Sequence, residues 1–587
     1  MLAANPAATI VRENSRVAVG HGLDREGEGS LREAIGRPEP AAALAGIVAG
    51  QEEATVVLAD AATPGGPRLD AWRGATSNYE VYLADNGLGR PPSVADAFRD
   101  ALASVASGRR SLDPAAAADH LLFGTVPGPR TLVAAVGRLG HGEHYRWHAG
   151  RAERRIFDSL VARPRPDQAP IDGIDAGLAR AIRRLPLADG CATLLSGGID
   201  SSLLHTYLPP GTPTVSSAVD SPEFARERTY AEQASRLLGT VHQVFTAPED
   251  DFLRLLVDAI RLSGLPARHP QPVLYNLAYR FPAPCFITGE FGDQLFGLKP
   301  TESYVESFAR RRWLRLAEGM RLRRLLPRGK VAALERRLDH LRRLAAPLDD
   351  WQSSGPRYAI RGDAVLLERI LGTTTMRQRI EARADYVATC FRSEERDADP
   401  LFAHLEFGHM VVFLCCDNGS HWRQMAYAQG KNLLTPYGCR SVVEAAIAVP
   451  RGRRYSANGR IKYLLKDLLK RRLPGYDVDT AKGGGDLPIQ RYFGSENREG
   501  MPILVDRTTD AVWRAARQSS SMVLGAPLKD AFERYAMPDL VDRDAASATR
   551  AVPDQLTWKL LTLAIWRDEV LGDRTLAPAA NTRVLAV

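Results

Sequence analysis

Apolar positions in the first 150 residues come in short runs, and these runs predict a unit of strands with two or three helices. Strand composition recurs in three stretches, namely 55–60 (TVVLAD), 79–85 (YEVYLAD) and 143–150 (EHYRWHAG). Residues 93–106 predict a helix because four apolar side chains fall on one helical face, namely Val94, Phe98, Leu102 and Val105. The Pro-rich polar stretch 163–170 is typical of a linker. We therefore predict a first domain over residues 1–165.

From about residue 175 the pattern changes to short β-rich runs separated by helical stretches. These runs are 192–195 (ATLL), 212–219 (TPTVSSAV), 241–247 (VHQVFTA) and 285–290 (CFITGE). Strands that alternate with helices favour a parallel sheet built from βαβ units. We therefore predict a second domain of the α/β class over 166–587, with helices flanking the sheet and a largely helical part at about 300–410.

Composition narrows the class of protein without identifying a ligand. The 587 residues are 45% hydrophobic and 25% charged, as in an ordinary globular protein, and the net charge of +8 is spread along the chain. We expect no nucleic-acid partner. The basic stretch 309–344 predicts two amphipathic helices broken near Pro327, whose arginines form either a solvated face or a contact for an acidic partner.

Cysteine spacing and hydropathy indicate the compartment. The six cysteines show no metal-binding spacing, so we expect buried, reduced thiols. The sequence shows neither a signal-peptide pattern nor an apolar run of eighteen residues. These features predict a cytoplasmic protein that does not span a membrane.

The stretch LLSGGIDSS (194–202) places a turn of small residues between an apolar strand and a helix. Such a turn exposes backbone N–H groups at a helix N-terminus, where an anion is favoured. The stretch lacks the lysine of a Walker A loop. An aspartate beside bound phosphates, here Asp200, makes sense if it holds Mg²⁺. The alternative is a plain strand–helix connection with a serine cap.

SGGIDSS resembles the pyrophosphate loop of the ATP pyrophosphatase superfamily, whose members cleave ATP between its α- and β-phosphates. The resemblance implies Mg²⁺ and ATP as cofactors, with AMP and pyrophosphate as products. It also implies that the nucleotide is bound by the loop and by the strand ends beside it, through Leu194, Ser196, Gly197, Gly198, Asp200, Ser201 and Ala218.

A second motif, ITGEFGDQLFG (287–297), resembles the SGEGADELFGG segment of asparagine synthetase-like enzymes. The resemblance implies that Asp293 is the second Mg²⁺ ligand and that Thr288 and Gly289 line the nucleotide. It also implies that Glu290 lies at the reacting centre. Physical chemistry agrees, because two carboxylates can share one Mg²⁺ on a triphosphate and a third can take a proton from an attacking amine.

Two lysines match those of the same family. Lys462 lies in NGRIKYLLKDLLKRRLP, and Lys482 lies in DTAKGGGDLP, before a glycine turn. The resemblance implies that both contact the α-phosphate and the leaving pyrophosphate, and that Lys482 also stabilises the transition state of acyl transfer. Cations there would offset the charge that builds on the departing phosphates.

The stretch DHLLFGTVPGPRTLVAAVGRLGHGEHYRW (119–147) resembles the end of the glutaminase domain that precedes asparagine synthetases. The resemblance implies a degenerate Ntn-type αββα domain over residues 1–165. That domain requires a cysteine as its first mature residue, because the thiolate is the nucleophile. Here the chain begins Met1, Leu2, Ala3, and no cysteine precedes Cys191. We therefore expect no glutamine hydrolysis.

Three branches of the family combine a synthetase domain with a lost glutaminase, namely ammonia-using asparagine synthetases, β-lactam synthetases and lasso-peptide cyclases. β-Lactam synthetases carry Tyr at the position of Glu290, and asparagine synthetases carry Glu at the position of Gln294. These departures favour a lasso-peptide macrolactam cyclase, which joins a peptide's N-terminal amine to an Asp or Glu side chain. The resemblance then implies a precursor peptide as substrate, and a leader-peptide protease and a leader-recognition protein as partners. A tRNA-modifying enzyme is a remote alternative.

Overall fold

The fold is given by a computed structural model. It describes residues 2–4, 8–87, 89–165, 169–185, 187, 190–220, 222–248, 251–267, 271–297, 307, 310–319, 327–345, 364–394, 418–457, 460–479, 558–559, 562–563, 565–572 and 583–585. Lys482 lies outside these ranges, as do Cys415 and Cys416.

The described residues up to Ile156 form ten strands and four α-helices. The strands are β1 Leu2–Ala4, β2 Thr9–Glu13, β3 Arg16–His21, β4 Thr55–Asp60, β5 Arg68–Arg73, β6 Tyr82–Ala84, β7 Ser93–Ala95, β8 Val136–Arg138, β9 Glu143–His148 and β10 Arg151–Ile156. The helices are α1 Arg25–Ile35, α2 Ala41–Gly50, α3 Phe98–Ser104 and α4 Pro114–Phe123.

These elements build two sheets that stack face to face between two layers of helices. One sheet is antiparallel with the order β10-β9-β5-β4-β3-β2, and the other has the order β20-β1-β7-β6-β8, where β20 is Arg583–Leu585. In β4, Val57 faces the second sheet while Val56 and Leu58 face α1 and α2. Both faces of β4 are therefore buried, which explains its nearly continuous apolar sequence.

The predicted helix over 93–106 is partly wrong. Residues Ser93–Ala95 form β7, which pairs with β1 on one side and β6 on the other, and the helix begins only at Phe98. Val94 packs between the two sheets, whereas Phe98 and Leu102 pack in the helix layer. Sheet pairing, with β1 far away in the sequence and with the neighbouring β6, has overridden the local helical pattern. The predicted strand over 79–85 is shorter than expected, at Tyr82–Ala84.

The second part of the chain is built on a parallel sheet of five strands, which confirms the predicted α/β class. The strand order is β14-β13-β12-β15-β17. These strands are β12 Ala192–Leu194, β13 Thr214–Val219, β14 His242–Ala247, β15 Cys285–Thr288 and β17 Asn432–Leu434. Four short strands lie elsewhere, namely β11 Leu160–Ala162, β16 Phe391–Ser393, β18 Ser456–Ala457 and β19 Arg460–Ile461.

Helices cover both faces of the parallel sheet. They are α5 Pro170–Arg184, α6 Ile199–His205, α7 Pro222–Leu238, α8 Phe252–Ser263, α9 Gln271–Ala278, α10 Gly292–Phe296, α11 Arg311–Gly319, α12 Arg328–Ala345, α13 Ala364–Leu371, α14 Thr373–Cys390, α15 Asn418–Ala428, α16 Arg440–Ile447, α17 Arg451–Arg454 and α18 Tyr463–Arg472. Helices α5, α6, α16 and α18 bury apolar side chains on one face, and α8, α9 and α15 do so on the other. A short π-helix, Arg567–Leu571, lies near the C-terminus.

The basic stretch 309–344 contains the two predicted helices, α11 and α12, on either side of Pro327. They pack on each other through Leu314, Leu338 and Leu341. The contact with an acidic partner stays a prediction. Within the described ranges, no helix combines the length and the apolar character that a membrane span requires. The four cysteines that the structure describes are buried and form no disulfide bond, as predicted, namely Cys191, Cys285, Cys390 and Cys439.

Candidate active site

The candidate site lies where β12 and β15 end side by side at the carboxyl edge of the parallel sheet. Leu194, the last residue of β12, is paired in register with Thr288, the last residue of β15. The chain runs outward from β12 through β13 to β14, and then returns to the other side of β12 to form β15. This reversal of strand order leaves a crevice beyond the strand ends, which is where open α/β sheets bind ligands.

The loop after β12 owes its shape to a glycine and two serines. Gly197 has φ of +68°, and a Cβ there would lie 2.3 Å from the carbonyl carbon of Tyr230 in α7. Only glycine tolerates both constraints. Inside the loop, the Ser196 and Ser201 hydroxyls lie 3.2 Å apart, and the Gly198 amide donates to Ser196 Oγ at 3.3 Å. The SGGIDSS motif therefore forms a tight turn that leads into α6.

Two glycines of the second motif bring it into direct contact with this loop. A Cβ at Gly289 would lie 2.6 Å from the Ser201 amide nitrogen, and a Cβ at Gly292 would lie 2.6 Å from Asp200 Oδ1. Side chains at either position would push the two motifs apart. The spacing of glycines in both motifs thus sets how closely the carboxylates of Asp200 and Asp293 can approach each other.

A single ammonium group joins these two carboxylates. Lys462 Nζ donates to Asp200 Oδ2 at 2.6 Å and forms an ion pair with Asp293 Oδ1. Burial alone would lower the pKa of Lys462, but attraction to the two carboxylates outweighs it and raises the pKa above its usual value. Lys462 itself lies just before α18 with φ of +55°, so it is not part of the helix that contains Lys466.

Asp200 and Asp293 are a donor set suited to Mg²⁺ that arrives with a nucleotide. Both carboxylates already converge on one cation, and Mg²⁺ is usually held by one or two carboxylates together with substrate phosphates and water. Among the residues that the structure describes, no three His, Cys, Asp or Glu side chains gather into a metal site. The two carboxylates could therefore hold a Mg²⁺ ion that is shared with substrate phosphates.

Most of the predicted site residues line one cavity of about 380 Å³. They are Leu194, Ser196, Asp200, Ser201, Ala218, Thr288, Gly289, Glu290 and Asp293. Gly197 and Gly198 form the turn beside it, and Lys462 reaches it through Asp200 and Asp293. The cavity continues between β13, α7 and α9, where Val215, Ala231 and Leu274 supply apolar walls. One cavity thus brings together the SGGIDSS loop, the four carboxylates of Asp200, Glu227, Glu290 and Asp293, and apolar walls.

Three tyrosines that the sequence did not single out also hold the site. The Tyr437 hydroxyl donates to the Asp200 carbonyl oxygen at 3.1 Å, and the Tyr476 hydroxyl donates to the Gly197 carbonyl oxygen. Tyr275, from α9, contacts Glu290. The three tyrosines come from separate segments of the chain, so no single local motif could have identified them.

Comparison with known proteins identifies the family. No curated protein matches the chain at a significant level. A family model described as asparagine synthase matches residues 173–573, a range that contains both loops, the parallel sheet and Lys462. Because this match covers more than half of the 587 residues, the chain belongs to the asparagine synthase family, whose members are ATP-dependent ligases that form amide bonds.

Proposed function

We propose that the protein is an ATP-dependent macrolactam synthetase that closes a peptide ring. In this proposal, the enzyme transfers AMP to an Asp or Glu side chain of the peptide and releases pyrophosphate. The peptide's N-terminal amine then attacks the activated carboxylate, forms the amide and expels AMP. The observation that carries the proposal is the contact of the two motifs at Asp200, Asp293 and Lys462, with Glu290 in the same cavity.

The roles of the side chains follow from charge and position. Asp200 and Asp293 would hold Mg²⁺, which neutralises phosphate charge when ATP is bound. Lys462 would then contact the phosphates, because a cation between α- and β-phosphates offsets the charge of the leaving pyrophosphate. Glu290 would take the proton from the attacking amine. Lys482, which lies outside the described residues, is proposed at the acyl-transfer step.

A peptide is favoured over a free amino acid by two side chains of the second motif. Glu290 is present, whereas β-lactam synthetases have Tyr there, and Gln294 replaces the Glu of asparagine synthetases. An acyl-adenylate is lost to water unless its amine is already in place, so both reacting ends must be bound together. A single peptide that carries both ends meets this need. We propose that a leader-peptide protease and a leader-recognition protein deliver it.

The test is incubation of the purified protein with ATP, Mg²⁺ and a panel of leader-free peptides that differ in the spacing between the N-terminus and one Asp or Glu. We expect AMP and pyrophosphate, and a peptide product lighter by one water in the mass spectrum. ADP and phosphate as products would contradict the nucleotide chemistry. Amidation of free aspartate by ammonia, with no dehydrated peptide, would instead indicate asparagine synthesis.

Variants separate the activation of the carboxylate by ATP from the transfer of the acyl group to the amine. Asp200→Asn and Asp293→Asn should each remove most AMP release, while the circular-dichroism spectrum stays that of the wild type. Lys482→Ala should block the dehydrated product and leave ATP binding, measured by calorimetry, largely intact. Wild-type turnover in either aspartate variant would refute the shared metal site.

A further inference from the structure

Glu290 belongs to a closed ring of hydrogen bonds that includes both its backbone amide and its carboxylate. Its amide nitrogen lies 3.3 Å from Thr288 Oγ1, Thr288 Oγ1 lies 2.9 Å from the Tyr275 hydroxyl, and that hydroxyl lies 3.2 Å from Glu290 Oε1. An amide can only donate and a carboxylate can only accept, and each hydroxyl has one proton. The Glu290 amide therefore donates to the Thr288 hydroxyl, the Thr288 hydroxyl donates to the Tyr275 hydroxyl, and the Tyr275 hydroxyl donates to the Glu290 carboxylate.

The ring of Tyr275 is itself fixed by aromatic packing. It stacks on Trp422 of α15 with centroids 4.2 Å apart and planes 7° from parallel. Tyr279, the residue that follows α9, meets Tyr275 edge to face at 6.2 Å and donates its hydroxyl to the Trp422 carbonyl oxygen at 3.1 Å. Trp422 is 1% exposed, so the platform beneath Tyr275 is part of the core. The hydroxyl of Tyr275 is thus presented to Glu290 from a rigid support.

We propose that Tyr275 is a positioning residue that holds the Glu290 carboxylate in the orientation and charge state needed to accept a proton from the attacking amine. This inference rests on the proposed function, because it assigns Glu290 to the amide-forming step. Tyr275 acts through Glu290 and makes no covalent contribution of its own.

Hydrogen bonding to a carboxylate favours its charged form and limits its rotation. Burial and the nearby charge of Glu290 raise the pKa of Tyr275 well above its usual value, so the hydroxyl stays protonated and remains a donor. Because the donors in the ring all point the same way, each bond strengthens the next. Loss of the Tyr275 hydroxyl therefore opens the whole ring.

A double-mutant cycle in stability tests the contact without any substrate. Full-length wild type, Tyr275→Phe, Glu290→Gln and the double variant are unfolded in urea. Because the bond joins a hydroxyl to a charged group, we expect the hydroxyl and the carboxylate to be coupled by about 10-fold or more in the folding equilibrium constant. Additive effects of the two changes would overturn the inference. This measurement needs no substrate, so it tests the contact even if no peptide of the panel releases AMP. A failure of every peptide to release AMP would contradict the proposed function alone.

A pH–rate profile tests the role, with a peptide from the panel that does release AMP. Tyr275→Phe should lower kcat about 10- to 100-fold with little change in KM for ATP, and should move the acid limb of the profile to higher pH by about one unit. Tyr279→Phe is the matched control, because it removes a nearby tyrosine hydroxyl that donates to the Trp422 carbonyl oxygen and not to Glu290. It should leave the acid limb in place. An unmoved limb in Tyr275→Phe, or full activity in Glu290→Gln, would overturn the inference.

Discussion

The ammonium of Lys462 lies between two carboxylates that repel each other without it, and its removal should therefore destabilise the folded protein. We consider Lys462→Met, which keeps the length of the side chain and removes its charge. The side chains of Lys462 and Asp200 are only 11% and 12% exposed, whereas that of Asp293 is 39% exposed. The Asp200 contact should thus dominate the effect.

The size of the effect follows from this difference in exposure. Removal of one partner from a buried ion pair costs about 3–5 kcal/mol, since a charge stays buried without compensation. The more exposed contact with Asp293 adds at most about 1 kcal/mol. We therefore expect the variant to lose about 3–5 kcal/mol of unfolding free energy at neutral pH, measured by urea denaturation monitored by tryptophan fluorescence.

Mg²⁺ gives the same experiment a second, independent readout. In the wild type, Mg²⁺ without nucleotide must compete with the Lys462 ammonium for Asp200 and Asp293. In Lys462→Met this competitor is gone. At a concentration 100 times its dissociation constant for the variant, Mg²⁺ alone should stabilise the variant by about 2.7 kcal/mol, and the wild type by less.

A control comes from Lys466 in the helix that follows Lys462. Lys466 contacts Asp479 at 3.5 Å, and the Asp479 side chain is 70% exposed. Lys466→Met should therefore cost less than about 1 kcal/mol and should not change the response to Mg²⁺. If Lys462→Met is as stable as Lys466→Met and both respond equally to Mg²⁺, the placement of Lys462 between the carboxylates is refuted.

Two more predictions concern close packing and pH. Gly289→Ala places a Cβ 2.6 Å from the Ser201 amide nitrogen, so we expect a loss of about 1–3 kcal/mol in stability and weaker ATP binding by calorimetry. Gly319→Ala, where a Cβ meets no atom within 4 Å, should show neither effect. Burial lowers the pKa of His421 from 6.5 to about 4, so the unfolded chain binds a proton that the folded protein does not. Stability should therefore fall by up to about 3 kcal/mol as the pH drops from about 6.5 to 4, and His421→Gln should flatten this part of the stability–pH curve. An equally steep curve in that variant would contradict the assignment.

The sequence predicted those parts of the fold whose signal is local. The strand TVVLAD is β4 without change of bounds, and the four β-rich runs after residue 175 each contain a strand of the parallel sheet. The helix predicted over 93–106 failed at its start because β7 pairs with β6 at Tyr82–Ala84 and with β1 at Leu2–Ala3, and no local pattern encodes the pairing with the distant β1. Strand pairing over long sequence distances is the information that a local reading lacks.

The residues of the candidate site also fall into those that a local motif predicts and those that depend on contacts between distant segments. Asp200 and Asp293 could be predicted because each lies in a short contiguous motif. The two motifs follow the ends of two neighbouring strands. Tyr275 could not be predicted, because its role depends on the stacking with Trp422 and on the direction of a hydroxyl toward Glu290. An isolated tyrosine in an amphipathic helix has no sequence pattern that separates this role from ordinary core packing.

The N-terminal unit, the described residues up to Ile156, supplies a buried carboxylate to the parallel-sheet part of the chain. Its Glu53 is fully buried and pairs with Arg423 of α15 at 3.6 Å, and it accepts a hydrogen bond from Thr435 Oγ1 at 2.7 Å. Arg423 in turn donates to the carbonyl oxygen of Leu433 in β17, the edge strand of the parallel sheet, at 3.0 Å. Without the N-terminal unit, a guanidinium buried beside that sheet would lose its counter-charge, at a cost of several kcal/mol. The unit therefore belongs to the core of the synthetase part whether or not it binds a substrate.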